Sequence, residues 1–150
     1  MIEERYELAL DRIRLMQTED TVGEPYKDYF KKMAEFVLML DELRTELLDG
    51  RYQKLELDEL RKWNRRLYQD VLPEQYEESY ANPDYACKML GKESGQILGM
   101  LYAELRGAVV YVFEGKTEYL AILYELLIEV YNQFEEEPDP KAVRDTFYWY

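Results

Sequence analysis

Glu24-Pro25-Tyr26-Lys27-Asp28-Tyr29-Phe30-Lys31-Lys32-Met33-Ala34-Glu35-Phe36-Val37-Leu38-Met39-Leu40-Asp41-Glu42-Leu43-Arg44-Thr45-Glu46-Leu47-Leu48-Asp49-Gly50 is the stretch that decides the fold. Tyr26, Tyr29, Phe30, Met33, Phe36, Val37, Leu40, Leu43 and Leu47 recur mostly at spacings of three and four. In a helix those spacings form one stripe, whereas in a strand the same residues would scatter over both faces. Pro25 suits the first helical position, where its missing N–H costs nothing. Gly50 suits the left-handed stop. The spacing predicts one amphipathic helix filling the interval between them.

The same period extends in both directions. Upstream, Ile2, Tyr6, Ala9, Leu10, Ile13 and Met16 form a second stripe, separated from the first by the polar break Gln17–Gly23. Downstream, Leu60, Trp63, Leu67 and Val71 predict a helix from about Leu57 to Leu72, ended by Pro73. Pro73–Ala81 is a tyrosine- and glutamate-rich connection, and Asn82-Pro83 is a cap-and-start pair. From there the pattern stays helical to Phe113, with a break expected near Gly91. Ala108–Phe113 has the β-branched and aromatic content of a buried strand, but Leu101, Leu105, Val109 and Val112 keep helical spacing. Gly115 closes that helix and Thr117 caps the next, with Leu120, Leu123, Leu127, Val130, Tyr131 and Phe134 inward. The acidic linker Glu135–Pro140 leads into a final helix ending in four aromatic residues, Phe147-Tyr148-Trp149-Tyr150.

The fold class expected is therefore all-α: one helical bundle of about five to seven helices over residues 1–150. Five prolines and seven glycines leave little room for a turn-dense β fold. Fifteen tyrosines against five phenylalanines suggest rings buried with their hydroxyls at the rim.

Two features are candidate interaction surfaces. Gly91, Gly95, Gly99, Ala103 and Gly107 recur every four residues. Glycine inside a helix costs about 1 kcal/mol relative to alanine, so close approach of another helix should offset it. Packing inside one bundle is the preferred reading, and a seam between two subunits is the alternative. Phe147, Tyr148, Trp149 and Tyr150 form the second feature, because chain ends are usually polar and frayed. Either those rings plug a groove, or the natural chain continues beyond Tyr150; continuation is the reading adopted here.

Charge and composition exclude several functions. A formal net charge of −13 repels phosphate backbones, so nucleic acid is not an expected partner. The lone Cys87 cannot form an internal disulfide and reads as a structural thiol. Met1-Ile2-Glu3-Glu4 lacks the basic start and apolar core of a secretory leader. Charges interrupt the most apolar stretches, Ile97–Phe113 and Tyr119–Tyr131, so no membrane span is expected and the cytoplasm is the expected setting.

Histidine is absent, which removes the commonest general base and zinc ligand and every Ser–His or Cys–His dyad. A ferritin-like Glu-x-x-His pair cannot be written, and no P-loop, Gly-x-Gly-x-x-Gly turn or EF-hand loop occurs. No catalytic, cofactor-binding or metal-ligating residue is therefore assigned. Glu104 is the best candidate for a buried acid, and Arg106 lies about 200° around the helix from it, so each should seek a partner elsewhere. Glu125 and Glu129 read as a solvated face, with a hard-cation site as the remote alternative. Tyr76, Tyr80 and Tyr85 read as rim packing rather than recognition.

Several phrases resemble the helical N-terminal region of bacterial leucyl aminopeptidases of the thermophilic-type two-metal group. They are Glu24-Pro25-Tyr26-Lys27-Asp28-Tyr29-Phe30, Leu72–Pro83, Leu101-Tyr102-Ala103-Glu104-Leu105-Arg106-Gly107 and the closing Phe147-Tyr148-Trp149-Tyr150. The likeness covers most of the chain, but these are packing phrases and not catalytic signatures. It implies a non-catalytic N-terminal accessory domain, serving assembly or access to a downstream peptidase domain that holds two divalent metal ions. The partners expected are that domain or a second copy of the chain. No metal ligand of the family maps onto this sequence. The alternative is a stand-alone helical interaction module, possibly homodimeric. A bundle working with carboxylates and tyrosines alone is the third and least favoured reading.

Overall fold

A computed structural model describes residues 2–24, 26–49, 57–67 and 91–135. Those residues are helical throughout, with short turns and no strand among them, as the periodicity requires. The helices are α1 (Ile2–Met16), α2 (Tyr26–Leu48), α3 (Leu57–Asn64), α4 (Lys92–Phe113) and α5 (Thr117–Glu135).

The inward stripes form one hydrophobic core. Tyr6, Ala9, Leu10, Ile13 and Met16 of α1 meet Tyr29, Phe30, Met33, Phe36, Val37, Leu40 and Leu43 of α2. Leu98, Leu101, Leu105 and Val112 of α4 and Leu120, Leu123, Leu127, Val130 and Phe134 of α5 complete it. Each large apolar side chain removed from water stabilises the fold by about 1.5–3 kcal/mol. Ile2, expected inward, instead lies exposed at the start of α1. Residues 65–67 continue α3 in a wider π-type turn, and Trp63 and Leu67 lie buried. Residues 68–72 of the predicted third helix lie outside the described residues, as do Pro25, Gly50, Cys87, the tyrosines at 76, 80 and 85, and the final helix predicted from the sequence.

Pairings across the core give the topology. Arg5 meets Glu125 and Arg12 meets Glu135, so α1 and α5 run parallel. Phe30 packs on Phe134 while Arg44 reaches Thr117, so α2 and α5 run antiparallel. The α4–α5 hairpin is antiparallel by its three-residue turn, which makes α4 parallel to α2. The order is thus up, down, down, up, and the chain between α2 and α4, which includes α3, returns to the starting end. Bundles with one long crossover connection have this arrangement.

Glycine sets both ends of α4. Gly91, with φ +88°, breaks the pattern immediately before Lys92, where the sequence predicts a break. At the other end Gly115 has φ +70°, a conformation that L side chains resist. Its N–H donates to Val112 O at 3.2 Å, and the Lys116 N–H donates to Tyr111 O at 2.9 Å. Those two bonds make a Schellman stop, satisfying carbonyls that the helix end would leave unpaired. Thr117 is the first residue of α5, and its hydroxyl accepts a hydrogen bond from Arg44 Nη2 at 3.2 Å.

Candidate functional site

The outward face of α4 and two polar clusters at helix joints are among the described places where side-chain chemistry gathers. The first cluster joins α1, α2 and α5. Tyr6, Asp41 and Tyr124 each sit on their own helix, brought together by the inward stripes around them. The Tyr6 hydroxyl donates to Asp41 Oδ1 at 2.8 Å. The Tyr6 and Tyr124 rings pack with centroids 5.6 Å apart. Arg44 lays its guanidinium over the Tyr6 ring at 4.3 Å, and Arg14 Nη2 stands 3.8 Å from Asp41 Oδ2. Asp41 is 19% exposed, so its carboxylate keeps partial access to solvent.

Burial, with Tyr124 and Asp41 nearby, holds the Tyr6 phenol well above its ordinary range. Burial does the same to Tyr124, offset in part by the approach of the Tyr6 hydroxyl. The Tyr124 hydroxyl is enclosed without a well-formed hydrogen bond. Both phenols therefore stay protonated near neutrality, sealed from solvent. A buried phenol of raised pKa is a poor base and a poor nucleophile. What the cluster does well is tie three helices together.

The second cluster fastens the α1–α2 turn to the far end of α5. Arg12 Nη1 donates to both Glu19 oxygens at 3.1 Å, while Nη2 donates to Glu135 Oε1 at 3.2 Å. The Tyr131 hydroxyl donates to Glu19 Oε2 at 3.0 Å, with the Thr21 hydroxyl 2.9 Å away. Arg12 also lies over the Tyr131 ring, 5.4 Å from its centroid. Opposite charges here sit in mutual contact, so the cluster reads as a joint.

Glu125, predicted on a solvated face, accepts two hydrogen bonds from Arg5 Nε, at 2.9 and 2.7 Å. Glu129 is exposed. Glu104 and Arg106 are each half-buried on α4. Among the described residues no three of the acids or thiols converge in a group that would hold a metal ion.

The small-residue series does not form one continuous ridge. Four residues advance a helix by about 400°, so each step drifts by about 40°. Gly95 and Gly99 are buried, while Ala103 and Gly107 have rotated to the exposed side. There they join Met100, 38% exposed, and Val110, 51% exposed, in an apolar face without a charge along its middle. Among the described residues a Cβ at Gly107 would meet nothing within 4 Å. Further along, Tyr111 and Tyr119 stack with centroids 5.4 Å apart, and Lys116 lies over both rings. Phe147, Tyr148, Trp149 and Tyr150 lie outside the described residues.

By length and composition alone α4 is long and apolar enough to cross a membrane. This departs from the expectation read from the sequence. Glu104 and Arg106 sit in the middle of the helix, and its inward side, with Leu98, Leu101 and Leu105, is buried in the bundle. A core helix of a water-facing bundle satisfies the same measure. No family model, curated protein or solved structure matches the chain.

Proposed function

We propose that this bundle is a non-catalytic accessory and interaction domain, acting through its surface rather than through a reaction centre. The observation that carries the reading is the exposed face of α4. Met100, Ala103, Gly107 and Val110 stand outward on a helix whose other side is core. Gly107 weakens the helix by about 1 kcal/mol relative to alanine, and among the described residues nothing from another element crowds the place its Cβ would take. A partner surface approaching closely from outside would give that glycine a purpose. The polar clusters support the same reading, since their charges and hydroxyls engage one another at helix joints.

The resemblance to the N-terminal region of leucyl aminopeptidases supplies the class of partner. In this reading a downstream peptidase domain, carrying the two divalent metals, meets the bundle in the cytoplasm, and the bundle serves its assembly or substrate access. Reading translated sequence beyond Tyr150 tests the parentage: clustered His, Glu and Asp there support it, and an immediate stop counts against it. The surface is tested with Met100→Lys and Val110→Lys combined in the full-length protein. Loss of assembly or turnover with unchanged helical circular dichroism is expected. Unchanged assembly and turnover would count against the α4 face.

A second reading rests on the open space at Gly107. There a second copy of α4 would dock, making the chain a stand-alone homodimer. Sedimentation velocity separates the two: self-association abolished by the lysine pair favours the homodimer, and a monomer at every concentration excludes it.

A further inference from the structure

We draw no further inference here: the strongest candidate, the exposed apolar face of α4 between Met100 and Val110, belongs to the surface already described, and nothing in the structure shows what covers it.

Discussion

The Tyr6 hydroxyl donates to Asp41 Oδ1 at 2.8 Å, joining α1 to α2, while the neighbouring Tyr124 hydroxyl is enclosed without a well-formed bond. The two buried phenols, side by side, are thus expected to differ in what their hydroxyls contribute to stability. A hydrogen bond to a charged acceptor contributes about 1.5–3 kcal/mol, whereas an enclosed unpaired hydroxyl is a cost.

Tyr6→Phe should therefore destabilise the bundle by about 1–2 kcal/mol, since Asp41 keeps some access to water. Tyr124→Phe should be neutral or stabilising by up to about 1 kcal/mol. Urea unfolding of both variants checks the contrast. Equal losses in the two would show that ring packing, not the hydroxyls, decides the joint.

The same phenols make the fold sensitive to alkali. Both have folded-state pKa values above the ordinary 10.0, raised chiefly by burial. Their contribution is full below the unfolded value near pH 10 and is lost progressively as pH rises above it. Absorbance at 295 nm should show some of the fifteen tyrosines ionising only as helical circular dichroism collapses. Ordinary ionisation of all of them with helicity intact would contradict the enclosed placement of Tyr6 and Tyr124.

Glycine substitutions should split by position. Gly107→Ala meets open space inside a helix and should stabilise the isolated chain by about 1 kcal/mol. Gly115→Ala puts a Cβ on a residue at φ +70° and should destabilise by about 1 kcal/mol. Thermal melts of the two variants should move in opposite directions. A fall for Gly107→Ala would place a neighbour where the structure has none.

Two arginines on α1 test how burial scales an ion pair. Arg12 is 28% exposed and engages Glu19, Glu135 and the Tyr131 ring, so Arg12→Ala should cost about 1–2 kcal/mol. Arg5 is 50% exposed and, among the described residues, pairs with Glu125, where solvent screens the charges. Arg5→Ala should cost less, and its effect should shrink further in high salt. Chemical denaturation at low and high ionic strength measures both, and a larger loss at Arg5 would overturn the ranking.

The α2 stripe from Tyr29 to Leu43 was legible from spacing alone, and every member of that span lies in the core. The stop at Gly115 and the break at Gly91 were equally legible, because each depends on neighbours a few positions away. The wholly buried Tyr29, Tyr102 and Tyr124 were not, since the sequence reading placed phenol hydroxyls at the rim. Tyr102 goes deep because its hydroxyl donates to the Tyr29 carbonyl at 3.0 Å, a partner on another helix.

What the sequence determined by itself was the helical character and the inward stripes of α1, α2 and α5, because repeats of three and four residues act within one or two turns. Only the tertiary structure decided that Tyr6, Asp41 and Tyr124 meet, although they are far apart along the chain. It also decided that the small-residue series divides, with Gly95 and Gly99 inside and Ala103 and Gly107 outside. The drift of about 40° per step was calculable beforehand, but the direction of the core relative to that drift was not. That direction is set by where α2 and α5 press on α4, and long-range packing of this kind leaves no mark in local spacing.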